Sequence, residues 1–298
     1  MTNLNFASKF RIANFFSLTI FILSIILIGF KGLNYGIDFK GGTLIELRSN
    51  NIDVTSVRNI LKKMDIGDVN VKKFGKDGDF LIKVEEQGNN NKLIPEIKKN
   101  LADNLNSEVN FRRVENVGPK VSAELLQSGI IAISLSLAAM LFYIWVRFEW
   151  QFSVGSIIAL FHDVMITLGI FSLLSLEINL SIIAAVLTIV GYSMNDTVVI
   201  YDRIRENLNK YHKLHISDIA NLSINETLAR TIITSATTLL ALFSIFILGG
   251  EILRGFSFAM ILGVFIGTYS SIFVASPILK FFRVSHKTLE KEEEKIVP

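Results

Sequence analysis

Charged and polar side chains that are able to carry protons stand inside long apolar runs of this sequence. Asp196 follows Asn195 in one run, Arg230 lies in the next, and His162 and Asp163 interrupt an earlier one. A neighbouring guanidinium favours the ionised form of a carboxyl group, whereas burial favours the neutral form. A site that balances these two effects takes up and releases a proton when its geometry changes. These residue types therefore indicate proton transfer.

Helical spacing adds hydroxyl and amide groups beside both charges, because residues three or four apart share one face of a helix. The two expected polar faces are Thr188, Tyr192, Asn195 and Asp196 on one helix, and Thr227, Arg230, Thr234 and Thr237 on the next. Two interpretations stay open for the Asp196 and Arg230 pair. It is either a proton carrier or a structural ion pair that fixes helix register. For His162 alone, the structural account is favoured: the imidazole bonds to a backbone carbonyl or lines a polar cavity.

Other chemistry finds little support in the sequence. The chain has no cysteine, which removes thiol chemistry and cysteine metal sites. The segment Gly191-Tyr-Ser193 lacks the second glycine of a nucleophile elbow, and no GxxxxGK[ST] phosphate loop occurs. We therefore expect no catalytic residue, no cofactor and no metal, and we expect energy to come from an ion gradient or a partner.

Composition indicates where these residues lie. Half of the 298 residues are hydrophobic, 19% are charged, and mean hydropathy is +0.46. Residues 33–127 carry 15 Lys/Arg and 14 Asp/Glu, whereas several later stretches carry none. This pattern excludes an ordinary soluble enzyme and a disordered chain, and predicts an integral membrane protein. The net charge of +3 is too small to indicate a nucleic-acid partner.

Six segments are long and apolar enough to cross a bilayer core of about 30 Å. The predicted spans are 12–30, 129–147, 153–176, 179–201, 225–248 and 256–279. Lysine and arginine flank them mainly on one side, which predicts cytoplasmic segments at 1–11, 202–224 and 280–298. Residues 33–127 then lie outside. We expect the first span to remain attached as a signal anchor, because no small-x-small cleavage site follows it.

The outer region has the pattern of an α+β domain. Residues 43–48 alternate as a strand does, 55–64 have helical spacing, 70–84 form a hairpin pattern around 75–78, 93–105 are amphipathic, and 108–114 alternate again. The order βαββαβ predicts a ferredoxin-like domain between the first and second membrane helices. We expect a loop at 87–92 and a solvated charge run at 287–295.

Three further motifs have structural interpretations. Gly263 and Gly267 are spaced for close helix packing. The segment from Ser223 to Glu226 has the pattern of a capping box, so the fifth membrane helix would begin before Arg230. Residues 202–207 are charged at a predicted cytoplasmic helix end, where they are expected to act as an anchor with local ion pairs.

Two segments resemble the signatures of the SecD/SecF family of protein-export membrane proteins. They are Gly191-Tyr-Ser-Met-Asn-Asp-Thr-Val-Val-Ile-Tyr-Asp-Arg-Ile-Arg-Glu-Asn207 and Ser223-Ile-Asn-Glu-Thr-Leu-Ala-Arg-Thr-Ile-Ile-Thr-Ser-Ala-Thr-Thr-Leu-Leu240. Shorter supporting stretches are 36–43, 117–122 and 254–259. The likeness runs in order over residues 30–280.

The resemblance implies half of a resistance-nodulation-division type fold, which is six spans with an outer domain, paired with a separate, homologous SecD. It implies a place beside the SecYEG channel in the bacterial inner membrane, with the outer domain in the periplasm. There the protein would use the proton-motive force to draw exported polypeptides outward. In the family, the aspartate of the Asn-Asp motif and the arginine of the fifth span are linked to proton passage. By motif position these residues are Asp196 and Arg230 here, and Asp163 is a secondary candidate.

Two alternative functions compete with this expectation. A small-molecule exporter of the same superfamily usually has two large outer domains and twelve spans in one chain, which this sequence lacks. A structural assembly factor would need Asp196 and Arg230 only to hold helices in register.

Overall fold

The structure, a computed structural model, describes residues 4–49, 52–64, 66, 69–73, 78–84, 90–105, 109–286 and 288. The turn predicted at 75–77, most of the predicted charge run at 287–295, and residues 87–89 of the predicted loop lie outside the described residues. Residues 90–92, which we predicted as loop, begin a helix instead. The chain divides into two compact units, which are residues 1–34, 131–176 and 181–298, and residues 35–130 and 177–180.

The elements follow one another along the chain in this order. They are a 3-10 turn (Ala7–Lys9), α1 (Phe10–Lys31), β1 (Asn34–Tyr35), α2 (Ile37–Lys40), β2 (Gly42–Ser49), α3 (Val54–Lys62), β3 (Val69–Lys73), β4 (Asp79–Val84), α4 (Asn90–Asn104), β5 (Val109–Val117), α5 (Pro119–Arg147), α6 (Trp150–Leu173), β6 (Glu177–Ile178), α7 (Leu180–Lys210), α8 (Ile216–Leu248), α9 (Gly250–Ser270), a π turn (Ser271–Ala275) and α10 (Ser276–Phe281).

In the described part of the chain, six helices are long and apolar enough to cross a membrane, which confirms the predicted fold class. They are α1, α5, α6, α7, α8, and α9 continued through the π turn into α10. Several extend past the spans predicted from hydropathy. α5 begins at Pro119 rather than 129, α7 continues to Lys210, and α8 begins at Ile216. Hydropathy marks the apolar part of a helix, and polar residues continue the same helix beyond it.

The capping box predicted at 223–226 is wrong. The helix that contains Arg230 begins at Ile216, after His215 in extended conformation, so Ser223 lies well inside α8. Ser223 is fully buried there, and its hydroxyl accepts a hydrogen bond from Nδ2 of Asn207 at 2.9 Å. The serine therefore joins α8 to α7 and does not begin a helix.

The first of the two units contains the apolar helices and is the membrane unit. Glycines allow close helix contacts within it, as predicted for Gly263 and Gly267. A Cβ atom on Gly263 would lie 2.2 Å from Cγ1 of Ile189, and one on Gly267 would lie 2.9 Å from Cβ of Ser193. Both contacts bring α9 against α7. Gly169 has the same role between α6 and α1, since a Cβ there would lie 2.4 Å from Cβ of Ser24 and 2.8 Å from its Cα.

The second unit, the sheet domain, contains a four-stranded antiparallel sheet in the order β3-β4-β2-β5. With α3 following β2 and α4 following β4, this is the ferredoxin-like βαββαβ arrangement that the sequence predicted. Alternation along the strands buries one face of the sheet against both helices. Its core includes Ile45 and Ile82 from the sheet, Leu61 from α3, and Ile97 and Leu101 from α4, all fully buried.

One ion pair joins the two central strands of this sheet. Arg48 on β2 stands opposite Asp79 on β4, and its Nε and Nη2 donate to Oδ1 and Oδ2 at 2.5 and 2.6 Å. Asp79 is 7% exposed, and Nη1 of Arg112 on β5 lies 3.6 Å from its Oδ2. Both carboxylate oxygens thus meet guanidinium groups, which ties the end of β4 to its neighbour.

We expect Gly169→Ala to destabilise the membrane unit by about 1–3 kcal/mol, because the new methyl group would press on the backbone of Ser24. The measurement is the thermal midpoint of the purified protein in detergent. Gly29→Ala is the matched control, since a Cβ at Gly29 meets nothing within 4 Å. Equal midpoints for the two variants would show that α1 and α6 are not closely packed at Gly169.

We expect Asp79→Asn to lower the unfolding free energy of the sheet domain by about 1–2 kcal/mol, because an amide cannot accept the paired donors of Arg48. Hydrogen exchange of the amides in β2 and β4, measured in the full-length protein, reports the change. The exposed Asp103 supplies the control Asp103→Asn. Unchanged protection of β4 in Asp79→Asn would contradict the prediction.

Candidate functional site

A fully buried carboxylate lies at the centre of the membrane unit. Asp163 of α6 is 0% exposed, and each of its oxygens has a hydrogen-bond partner. Oδ1 lies 2.9 Å from Nδ1 of His162, and Oδ2 accepts from the hydroxyls of Ser193 and Ser270 at 2.6 and 2.7 Å. The Asp163 side chain is therefore fixed by three groups from three helices.

Small residues explain how the hydroxyls reach this carboxylate. Gly267 lets α9 approach the backbone of Ser193 on α7, and Ser270 follows it on the next turn of α9. Immediately afterwards the helix widens into the π turn at 271–275, a form that often occurs at functional sites. The buried hydroxyl of Tyr201 donates to the carbonyl of Ala275 at 2.9 Å, which satisfies one backbone group in this turn.

A second carboxylate is buried but less completely satisfied. Asp196 of α7 is 3% exposed, and its Oδ2 has no hydrogen-bond partner in the described part of the chain. The hydroxyls of Ser235 on α8 and Thr268 on α9 lie within reach of its carboxyl group, and they also contact each other at 2.7 Å. Asp196 thus lies where α7, α8 and α9 meet, with one oxygen uncompensated.

Arg230 does not contact Asp196. Among the described residues, no carboxylate oxygen lies within the 4.0 Å of an ion pair from the Arg230 guanidinium, and Arg230 is exposed. The direct ion pair considered from the sequence is not formed in this conformation.

Most of the hydroxyls predicted to support the site bond to their own helices. Oγ1 of Thr188, Thr227 and Thr234 donates to carbonyls one turn earlier on α7 or α8. Asn195 is exposed, while the Tyr192 hydroxyl is buried and has no partner among the described residues. These side chains lie near the charged residues but supply no hydrogen bond between helices.

The charged motif at 202–207 forms ion pairs that connect helix ends. Arg203 contacts Glu226 of α8 at 2.6 Å, and Arg205 contacts the buried Glu149 at 3.1 Å. Asp202 pairs with Arg147 at the end of α5, 2.9 Å away. This segment therefore holds the ends of α5, α6, α7 and α8 together, as expected for an anchor.

Sequence reasoning missed the hydroxyls that surround the two carboxylates. Ser193 and Ser270 bond to Asp163, Ser235 and Thr268 lie near Asp196 and bond to each other, and none of these hydroxyls was singled out beforehand. The available signal was the position of Thr268 and Ser270 directly after Gly267, on a helix already predicted to pack closely. In the described residues no group of three or more His, Cys, Asp or Glu is arranged to hold a metal.

Asp163 and Asp196 differ in how their oxygens are bonded. Both oxygens of Asp163 have partners, and side chains from three helices hold its carboxyl group in one place. The Oδ2 atom of Asp196 is buried without a hydrogen-bond partner in the described part of the chain, which is an unfavourable state for a polar atom.

Comparisons with known proteins agree with this architecture. The family model for the C-terminal part of protein export membrane proteins SecD/SecF matches residues 97–285, and the SecD/SecF GG motif model matches 26–51. Proteins named protein translocase subunit SecF, from Rickettsia bellii and Rickettsia rickettsii, are 48% and 47% identical, each over 94% of this chain and 93% of its own length.

The crystal structure of SecDF, a translocon-associated membrane protein from Thermus thermophilus, superposes with a TM-score of 0.85 at 38% identity. It matches 94% of this chain, which in turn spans 39% of that longer protein. A second SecDF structure, in a super-membrane-facing form, gives a TM-score of 0.71 at 36% identity. With more than half of its residues in the family model and close relatives along nearly its whole length, the chain belongs to the SecD/SecF family of protein export membrane proteins.

Proposed function

We propose that the chain is an auxiliary subunit of the Sec protein translocase that, together with a separate SecD, uses the proton-motive force to promote polypeptide export. The proposal is supported by family membership and by relatives named SecF at nearly half identity. The role involves binding, movement and proton transfer, and it assigns no catalytic residue and no cofactor to this chain.

The observation that carries the proposal is the state of Asp196. It is a buried acid inside a helix long and apolar enough to cross the membrane, and one of its oxygens lacks a partner. An acid at mid-helix costs about 2.5–3.5 kcal/mol on insertion scales, so such a residue is expected to serve a function. In the proposed cycle, Asp196 binds a proton in one conformation and releases it in another.

Arg230 would set when that release occurs. Its exposed guanidinium lies beyond ion-pair distance, so a movement of α8 toward α7 would bring it closer to Asp196 and favour the ionised acid. Asp163 stays in the proposed proton pathway as a fixed neighbour, since its hydrogen bonds hold α6, α7 and α9 around the site. Tyr192 and Asn195 would line the same route.

The electrical energy available is adequate for a conformational step. One proton that crosses about 100 mV supplies about 2.3 kcal/mol. A ligand or proton that shifts a two-state equilibrium from 1:99 to 99:1 must supply about 5.5 kcal/mol. Two to three protons per movement, in order of magnitude, would therefore drive a full switch.

A partner that covers the polar face of α7 and α8 would complete the site. Thr188, Asn195, Arg230 and Thr237 are exposed on this chain, although they lie on helices able to cross a membrane. Lipid tails offer no hydrogen bonds, so a second set of helices is the favourable cover. We propose SecD for this place, in the bacterial inner membrane beside SecYEG, with the sheet domain in the periplasm near the moving polypeptide.

Two other functions predict different behaviour. A structural assembly factor is favoured by the fixed network around Asp163, which would hold helices together without any proton movement. An exporter of small molecules in the same superfamily would act without the translocase. Both leave the buried Oδ2 of Asp196, which has no hydrogen-bond partner among the described residues, without a role.

We expect Asp196→Asn to abolish the stimulation of export by a proton gradient, because the amide keeps the size of the acid but cannot exchange a proton. The measurement is polypeptide export into inverted membrane vesicles, with and without a gradient, at matched amounts of the protein and of SecD. Full stimulation by Asp196→Asn would falsify the carrier role.

The control for this experiment is Asp218→Asn, which makes the same chemical change in the first turn of α8, outside the site. It should retain stimulation. If Asp196→Asn instead reduces the amount of assembled complex before any effect on export appears, the assembly function is the better account.

We expect a cysteine at Lys99 to react with an impermeant thiol reagent from the periplasmic side, and one at Lys213 only from the cytoplasmic side. The reason is the excess of Lys and Arg in the short segments on one side of the spans. Both positions are exposed, and the native chain has no cysteine to interfere. Labelling in intact cells and in inverted vesicles gives the answer, and the reverse pattern would exclude the proposed orientation.

A further inference from the structure

A cavity of about 200 Å³ lies between α1, α6 and α9, away from Asp196. Its walls are mainly apolar and include Phe16 and Ile20 of α1, Ile166 of α6 and Phe265 of α9. His162 also lines it. The volume is several times the share of one water molecule in the liquid, which is about 30 Å³.

The imidazole of His162 is held in one orientation. It is 5% exposed, its Nδ1 lies 2.9 Å from Oδ1 of Asp163, and its ring stacks on Phe21 at 6.2 Å and 15°. The second ring nitrogen, Nε2, is buried and has no hydrogen-bond partner in the described part of the chain. A buried polar atom left in this state is unfavourable, so a ligand that satisfies it binds more tightly.

The tautomer of His162 decides what Nε2 requires. Oδ2 of Asp163 accepts from two serine hydroxyls, and its Oδ1 lies 2.9 Å from Nδ1 of His162. In the tautomer in which Nδ1 donates to Oδ1, Nε2 is a lone-pair acceptor. A partner of that tautomer in the cavity needs a hydrogen-bond donor.

The other polar groups that line the cavity do not supply a hydrogen-bond donor for Nε2 of His162. The Ser17 hydroxyl donates to Oη of Tyr269 at 3.0 Å, and that Oη donates to the carbonyl of Ala13 at 2.9 Å. An isolated water needs two to four polar partners, so it fits an apolar cavity poorly. A cation finds no acid on the walls, and the hydrocarbon chain of a lipid has no donor for Nε2.

We propose that this cavity binds a neutral, membrane-dissolved molecule with an apolar body and one hydroxyl group, which donates to Nε2 of His162. The apolar body fills the space between the phenylalanine and isoleucine side chains, and the hydroxyl removes the unsatisfied acceptor. Phe16 and Phe265, at 57% and 53% exposure, stand on the outer surface of helices able to cross the membrane. The molecule thus enters from the bilayer.

The test uses an n-octanol that carries a photoreactive diazirine on its chain, and its methyl ether as the matched probe without a donor. The full-length protein in phospholipid vesicles is irradiated with each probe, and the labelled peptides are identified by mass spectrometry. We expect the alcohol to label peptides of α1, α6 and α9 around the cavity about ten-fold more than the ether. Equal labelling by both probes would overturn the proposal.

Two variants distinguish the effect of the hydrogen bond to Nε2 of His162 from the effect of the space available in the cavity. His162→Phe keeps the aromatic stack but removes Nε2, so labelling by the alcohol should fall to that of the ether. Ile20→Trp narrows the cavity and leaves the His162–Asp163 hydrogen bond in place, so labelling by both probes should fall. If Ile20→Trp folds with an unchanged thermal midpoint and is still labelled by the alcohol at the same peptides, the cavity is not the binding site. This readout does not involve export, so it is independent of the proposed function.

Discussion

The need to satisfy a buried carboxyl group inside a membrane governs the arrangement of this protein. Asp163 has no exposed surface, and a carboxylate in such a place must find hydrogen-bond donors within the protein. It finds them on its own helix and on two others, from His162, Ser193 and Ser270. The three helices that contain these residues are therefore held in one register by a single side chain.

The same requirement explains the small residues and the irregular backbone around it. A serine hydroxyl is short, so α9 must lie close to α7 for Ser270 to reach Asp163, and Gly267 permits that approach. The π turn begins at residue 271, directly after Ser270, and the hydroxyl of Tyr201 donates a hydrogen bond to one of the carbonyl groups in this turn. Packing, hydrogen bonding and backbone form are thus consequences of one buried acid, not separate features.

Sequence patterns were sufficient for the fold and for the residues of the site that carry charge. Alternation and helical spacing reflect burial directly, so the six apolar helices and the βαββαβ order could be predicted. Helix ends were harder to predict. The helix α8 begins at Ile216 and includes polar residues, whereas hydropathy marks only its apolar part. The hydroxyl partners Ser235 and Thr268 could not be found either, since a serine or threonine in a helix usually bonds to its own backbone, as Thr188 does. Only the packing of helices decides which hydroxyls meet an acid.

The two buried acids, Asp163 and Asp196, differ in how completely they are hydrogen-bonded. In the proposed cycle, the proton carrier is not bonded as completely as Asp163, both of whose oxygens have partners. It does not lie in a wholly apolar place either, because an isolated carboxyl group stays neutral there. Asp196 meets both conditions: it is buried, its Oδ2 has no hydrogen-bond partner in the described part of the chain, and the hydroxyls of Ser235 and Thr268 lie nearby. Under the proposed function, a proton moves at Asp196 while the hydrogen bonds of Asp163 keep α6, α7 and α9 in register.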